Sequence, residues 1–386
     1  MLSKEILPFC SVSVVIPVRN EADHLDKTLA AFITQVDLSS KKLSFDIFEI
    51  IVLINNCSDN SLEIARKFQN DNPFLSFHIA NINTSKINAN SGFMRRLLMD
   101  EAHDRLVKND KGGGIILTTD GDTQVAEDWI AANLFEIENG ADAVGGRILF
   151  TAEELGKMNP AARKFHLIDE KYRLLSAELE SNLDYLPHDA FPKHHQHFNG
   201  SFAVMTDTYK KAGGIPEVRF LEDVAFHQSL MRIDAKFRHS PLVKVYTSAR
   251  EAGRTEAGLS TQINDWINLG KNGEDFLVES AKTLDKRFKA HGKLRAVWTN
   301  FQKRFTPQTA EIKEIAGLFR VDFEDLEIEL SKPQTFGLLL ENVYKKQNQQ
   351  GNKNGQNKFV PVQIAVQELE NKLEEIRSEK TSAIAN

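Results

Sequence analysis

Residues 114–123 read Gly-Ile-Ile-Leu-Thr-Thr-Asp-Gly-Asp-Thr, an apolar run that stops at two carboxylates separated by one glycine, Asp120-Gly121-Asp122. Carboxylate oxygens are hard ligands. On so short a tether, with Gly121 freeing the backbone between them, the pair can hold a divalent cation that in turn holds a phosphate-bearing ligand. The alternative is a solvated acidic turn closing a strand, since Asp and Gly are ordinary turn residues. A second acidic pair, Glu222-Asp223, opens a helical pattern and has its own plain reading as a partner of the helix dipole. Two arginines, Arg250 and Arg254, flank Gly253 in a loop, and guanidinium groups bind phosphate oxygens in a bidentate manner. His188, His194, His195 and His197 crowd one stretch, with His195 and His197 expected on one face of an extended segment. No cysteine or glutamate stands beside them at metal-site spacing. Histidines that hydrogen-bond a phosphate or a hydroxyl therefore rank ahead of a zinc site.

The elements that must carry these groups alternate. Residues 11–18 are β-branched and short, and Arg19-Asn20-Glu21-Ala22-Asp23 leads into the helical spacing Leu25, Leu29, Phe32, with Asp23 as a candidate cap. Residues 48–54 repeat the unit, ending at Asn55-Asn56-Cys57-Ser58-Asp59 before a helix through Ile64, Ala65 and Phe68. Residues 75–80 make a third strand, followed by a helix over 92–99 whose basic pair, Arg95 and Arg96, sits near its start, unfavourable for the dipole and so suited to an anion, although either arginine alone reads rather as part of a solvated helix face. The stretch ending at Asp120 is the fourth strand and residues 141–150 the fifth. Such alternation predicts an α/β fold, a mostly parallel nucleotide-binding sheet covered by helices on both faces, with ligands at the strands' C-terminal ends. Residues 153–182 are helical with a break at Pro160, residues 237–246 form a last strand, and beyond 260 the pattern is helical without a further strand.

Taken in order, five pieces resemble the family 2 glycosyltransferases of the glycosyltransferase-A fold. They are residues 14–21 (VVIPVRNE), the turn at 55–59, Asp120-Gly121-Asp122 as that family's Asp-x-Asp, Gly213-Gly214-Ile215-Pro216, and Glu222-Asp223. Residues 195–200 (HQHFNG) and 248–254 (SAREAGR) look like a soluble bacterial subgroup. The resemblance implies a nucleotide-sugar donor and a divalent cation, Mg²⁺ or Mn²⁺. Asp122 matches the metal ligand, Asp120 lies near the ribose, and Asn20, Glu21 and Asn56 match positions that hold the nucleoside. The donor-binding set is then Pro17, Val18, Asn20, Glu21, Asn56, Arg95, Asp120, Gly121, Arg250 and Arg254. Asp223 matches the general base, with Glu222 beside it; His195, His197, Asn199 and Gly200 fall near the acceptor or the diphosphate. Asn55-Asn56 stands where many members have Asp-Asp, and an amide offers a donor that a carboxylate lacks.

The implied reaction moves a sugar to an acceptor hydroxyl by a metal-assisted, inverting single displacement. A sugar-nucleotide pyrophosphorylase is the rival enzyme, but its glycine-rich basic loop after the first strand is replaced by Pro17-Val18-Arg19-Asn20-Glu21. A noncatalytic nucleotide-sugar-binding scaffold is the rival from another class. A dehydrogenase would need a Gly-x-Gly-x-x-Gly that no first strand precedes.

The expected boundaries are 1–258 for a catalytic domain (nucleotide-sugar half about 11–150, acceptor half about 151–258), 259–344 for a helical extension, 345–358 for a flexible linker and 359–386 for an amphipathic helix and tail. The net charge of −6 supplies no global field to recruit nucleic acid. Two cysteines, Cys10 and Cys57, make no disulfide framework, and residues 1–10 hold too short an apolar run for a signal peptide. With no window of about 20 apolar residues for a transmembrane segment, the expectation is a soluble, cytoplasmic protein whose acceptor is a sugar, a lipid-linked molecule or a small molecule.

Overall fold

The computed structural model describes residues 5–84, 91–109, 113–251, 253, 258–303, 307–349 and 358–385. The chain divides into two compact units. One comprises Met1–Met158, Gln196–Leu230 and Ala235–Asn264, and the other Asn159–His195, Met231–Asp234 and Asp265–Asn386.

The first unit is built on an eight-stranded sheet of β1 (Val12–Val18), β2 (Phe48–Asn55), β3 (Ser76–Ile82), β4 (Ile115–Thr119), β5 (Thr123–Val125), β6 (Ala143–Leu149), β7 (Ser201–Met205) and β8 (Phe237–Thr247). Their order across the sheet is β3-β2-β1-β4-β7-β6-β8-β5. β3, β2, β1 and β4 run parallel; β7 is antiparallel to β4 and β6, β8 returns parallel to β6, and β5 lies antiparallel to β8. The mostly parallel α/β sheet is the fold class expected. β1 and β2 are apolar almost throughout because both of their faces are covered, so every position repays an Ile or Val. Pro17 lies past the last β1–β4 pair, Val15 with Thr118, where a missing N–H removes no bond from that ladder.

Helices flank the sheet: α1 (Leu25–Ala30), α2 (Ser61–Asp71), α3 (Ser91–Lys108), α4 (Trp129–Glu138) and α5 (Ala152–Lys157). Trp129, Phe32, Leu29, Ile50 and Val245 meet in one buried core. The N-cap of α1 is His24 rather than Asp23; it makes no side-chain cap bond, and Glu21 O accepts the Leu25 N–H instead. Beneath the sheet's other rim lies a buried ionic knot. The Glu49 carboxylate accepts from Arg105 Nη2 (2.6 Å) and Ser13 Oγ (2.6 Å), with His78 Nε2 at 3.1 Å. Burial raises the Glu49 pKa, but hydrogen bonds from His78, Arg105 and Ser13 outweigh it and bring the carboxyl down to about 2.

Pro160 opens α6 (Pro160–Leu183) after the Asn159 cap, occupying the first turn, where a proline sacrifices no helical bond. Three further helices follow in chain order: α7 (Thr206–Lys211), α8 (Glu222–Arg232) and α9 (Leu259–Asn272). In the second unit α6 packs with α10 (Ala281–Gln302) and α14 (Val362–Ala385) through Tyr172, Leu179, Phe288, Leu369 and Leu373. Between α10 and α14 stand α11 (Thr309–Phe319), α12 (Phe323–Ser331) and α13 (Phe336–Gln349), cored by Leu294, Phe319, Leu326 and Leu339.

Here the structure departs from the sequence reading at three points. Residues 159–195, expected in an acceptor half, share a core with the C-terminal helices. Residues 345–349, expected in a linker, continue α13, where Lys346 Nζ bonds Asp325 Oδ1 (2.6 Å) and Gln347 Nε2 bonds Phe319 O (2.6 Å); residues 350–357 lie outside the described residues. A short antiparallel pair, β9 (Leu277–Glu279) with β10 (Phe359–Pro361), joins segments too brief to show a period-2 pattern.

Candidate active site

β1 and β4 are neighbours whose chain connections leave in opposite directions along the sheet, so their C-terminal ends frame a topological switch point, the usual ligand crevice of an open α/β sheet. Pro17, Val18, Asn20 and Glu21 come from the first end, and Asp120, Gly121 and Asp122 from the second.

Asp120 Oδ1 accepts from Arg95 Nη2 at 2.5 Å. The same guanidinium donates to Thr118 Oγ1 and to Asn199 O (3.3 Å). Arg95 is buried, so it is not a solvated helix residue; the anion it meets is a carboxylate of its own chain. Two glycines let this carboxylate sit where it does. A Cβ on Gly200 would lie 2.9 Å from Asp120 Oδ2, and one on Gly121 would press on Glu21 Cγ (3.0 Å) and Val18 Cγ2 (3.2 Å), with Pro17 O at 3.4 Å. Thr28 Oγ1 donates to Gly121 O (3.1 Å) and fixes the turn from α1.

Asp122 shares Arg250 with Glu21. Arg250 Nη1 donates to Glu21 Oε2 (2.7 Å), Nη2 donates to Glu21 Oε1 (3.1 Å), and Nη2 stands 3.1 Å from Asp122 Oδ2. The Glu21 loop is itself pinned by the turn after β2. Glu21 N donates to Ser61 Oγ (2.9 Å), Ala22 N to Asp59 Oδ2 (2.9 Å), and Ser58 N to Asn20 Oδ1 (2.8 Å), with Asn20 at φ +56°. Burial pushes the Asp122 carboxyl up to about 6, and the Asp120 and Glu21 carboxylates push the same way against Arg250. The Asp122 carboxyl is thus a buried oxygen donor set among like charges with one arginine beside it, an environment that suits a divalent cation.

Asn56 uses both halves of its amide on one backbone unit: Nδ2 donates to Thr84 O (2.9 Å) and Oδ1 accepts from Thr84 N (3.0 Å). A carboxylate could do only the second, which accounts for asparagine where the family pattern has aspartate.

Asp223 and Glu222 form the first turn of α8 after Leu221 at φ +56°. Burial raises the Asp223 carboxyl; the negative charges of Glu222 and Asp120 add to this, and Arg95 opposes it. Asp223 therefore shares an electrostatic neighbourhood with the end of β4. Asn199 is 3% exposed, and among the described residues neither Nδ2 nor Oδ1 of its amide has a hydrogen-bond partner. Residues 195–200 are irregular rather than a strand, so the shared face expected of His195 and His197 does not form. His195 groups with the second unit; His197 belongs to the first, its ring stacked on His227 at 4.3 Å. Arg254 lies outside the described residues. Sequence reasoning missed Thr118, Thr28 and Ser61 as positioning groups. Ser61 follows directly on the Asn55–Asn60 turn, which was the available signal, whereas a strand threonine such as Thr118 gives none.

The family model described as glycosyl transferase family 2 matches residues 13–195. Asn199, Glu222, Asp223 and Arg250 lie beyond the matched residues. Glycosyltransferase AglE of Haloferax volcanii is 31% identical over 151 residues, 38% of this chain and 41% of that protein, so the match spans about two fifths of the relative's length. Among solved structures, S. aureus TarS 1–349 in complex with UDP-GlcNAc aligns with a TM-score of 0.45 at 14% identity, over 91% of this chain and 96% of that one. The mannosyltransferase PcManGT of Pyrobaculum calidifontis, in complex with GDP-Man and Mn²⁺, aligns with a TM-score of 0.43 at 14% identity, over 90% and 76%. No helix among the described residues is long and apolar enough to cross a membrane. The segment that matches the glycosyl transferase family 2 model runs from β1 past β6 and brings Glu21, Asp120 and Asp122 to one crevice.

Proposed function

We propose that the protein is a glycosyltransferase that moves a sugar from a nucleotide-sugar donor to an acceptor hydroxyl with inversion at the anomeric carbon. The observation that carries this reading is Asp122, a buried carboxyl 3.1 Å from Arg250 Nη2 at the switch point of the segment that matches the family 2 model. Asp122, with Asp120 beside it, would hold Mg²⁺ or Mn²⁺. When bound, that cation supplies positive charge against the diphosphate that leaves.

The remaining work falls to the chain's own groups. Asp223 takes the proton of the acceptor hydroxyl as its oxygen bonds to the anomeric carbon, while the bond from that carbon to the diphosphate breaks. Burial raises the Asp223 pKa and so makes it a stronger base. Arg250 turns two N–H groups into the crevice and can exchange a carboxylate for a phosphate oxygen. The buried amide of Asn199 has hydrogen-bonding capacity that the protein does not use, and leaving it unused costs about 1–3 kcal/mol. A bound ligand recovers that cost. Asn20, Glu21 and the turn after β2 supply the nucleoside side of the crevice. We place the reaction in the cytoplasm, in keeping with two free thiols and no disulfide, acting on a sugar, a lipid-linked molecule or a small molecule.

The test is release of nucleoside diphosphate from a panel of nucleotide sugars with Mn²⁺ and a mixture of glycan and lipid-linked acceptors. Release that depends on the acceptor supports transfer. Donor binding without release under every acceptor condition would favour the noncatalytic scaffold instead.

A further inference from the structure

Three histidines that the proposed transfer does not use as a group come together in the first unit. His197 lies in the loop before β7, His227 on α8 and His239 on β8, and their nearest ring nitrogens all fall within 4.8 Å of one another. The His197 and His227 rings stack at 4.3 Å and 19°. Phe237 makes edge contacts with both His227 and His239, each at 4.7 Å. All three histidines are half-buried, so solvent and small ions reach them.

We propose that His197, His227 and His239 form a transition-metal site, selective for Zn²⁺ over Mg²⁺ and separate from the carboxylates at Asp120 and Asp122. The donor set consists of three imidazoles with no carboxylate among them. Imidazole suits Zn²⁺, whereas Mg²⁺ and Mn²⁺ favour oxygen ligands. Three histidines leave the fourth position of a tetrahedron open to water or to another ligand. With Zn–N bonds of about 2.0–2.1 Å, tetrahedral geometry brings the nitrogens to roughly 3.4 Å apart, so nitrogens now up to 4.8 Å apart close by up to about 1.4 Å as the stacked His197 and His227 rings tilt to direct their lone pairs at one ion.

Simple aromatic packing also clusters histidines, but it does not require three separate elements to bring ring nitrogens within 4.8 Å of one another. His227 stands four residues after Asp223, one helical turn away, so a metal here ties the helix bearing Asp223 to the loop bearing Asn199 and to β8. The metal assignment does not depend on the transfer reaction.

The test uses the full chain, stripped with chelator and titrated with Co²⁺ as a spectroscopic stand-in for Zn²⁺. The expected result is one equivalent bound with the intense visible bands of four-coordinate Co²⁺, displaced by Zn²⁺ and not by Mg²⁺. Those bands should vanish in His239→Gln and in His227→Phe, which keeps an aromatic ring, and persist in Asp122→Ala. Bands that survive both histidine variants, or that disappear only in Asp122→Ala, overturn the assignment. Should the variants not fold, X-ray absorption on the zinc-loaded wild type decides: a shell with three imidazoles supports the site, and an oxygen-only shell refutes it.

Discussion

Replacing Asp122 by asparagine tests the physical basis of the site without needing a substrate. The Asp122 side chain is 11% exposed, and burial among like charges raises its pKa from 3.8 to about 6. A carboxyl whose folded value exceeds its unfolded one binds its proton more tightly in the folded state. Its contribution to stability is therefore complete below about pH 4 and is lost as the pH rises through about 6. Two units correspond to about 3 kcal/mol of penalty at pH 8. Asp122→Asn, nearly isosteric and always neutral, removes that penalty. The metal-free variant should be more stable than wild type by about 3 kcal/mol at pH 8, with the gap shrinking through pH 6 and closing near pH 4. Mn²⁺ at about a hundred times its dissociation constant should return some 2.7 kcal/mol to the wild type and nothing to the variant. Chemical denaturation across a pH series, with and without Mn²⁺, measures both. A gap that does not change with pH, or a variant less stable than wild type at pH 8, would refute the reasoning that Asp122 is a desolvated carboxyl awaiting positive charge.

Other expectations follow from individual contacts. Asp223→Asn should keep donor affinity and lose about 10²–10⁴-fold in turnover, the usual worth of a general base, and the wild-type rate should fall as the pH drops through the raised Asp223 value. Calorimetry and initial rates separate the two effects, and a variant with wild-type turnover removes Asp223 as base. Gly200→Ala puts a methyl 2.9 Å from Asp120 Oδ2 and 3.0 Å from Ile148 Cδ1; donor affinity measured by titration should fall while the fold persists by circular dichroism. Arg105→Met leaves Glu49 buried without its main cation, so unfolding experiments at pH 7 should show a loss of about 3–5 kcal/mol, and a loss under 1 kcal/mol would mean that Ser13 and His78 suffice.

The legible parts of the molecule were those whose physics is local. β1, β2 and β4 announced themselves as buried β-branched runs, and Asp120-Gly121-Asp122 marked the end of a strand because an apolar run cannot pass two carboxylates. Glu222-Asp223 fell at a helix start as read. What was not legible depends on partners distant in sequence. Nothing local in residues 160–183 says that their apolar face meets α14 rather than the sheet. Asn56 read as a ligand for a nucleoside, whereas its amide closes on the backbone of Thr84, a pairing fixed by the β2–β3 register. Arg95 read as an anion binder and met Asp120, a residue 25 positions on. The histidine run drew attention to His195 and His197 as neighbours in sequence, while the ring that stacks on His197 comes from α8.

The most direct test of the central claim is equilibrium binding of UDP-, GDP-, TDP- and CMP-sugars to the full chain, with and without Mn²⁺, in wild type and Asp122→Ala. One nucleotide class should bind the wild type, Mn²⁺ should tighten this binding, and the Mn²⁺ effect should be absent in the variant. Binding indifferent to Mn²⁺ and to Asp122, or no binding of any nucleotide sugar by the folded protein, would contradict it.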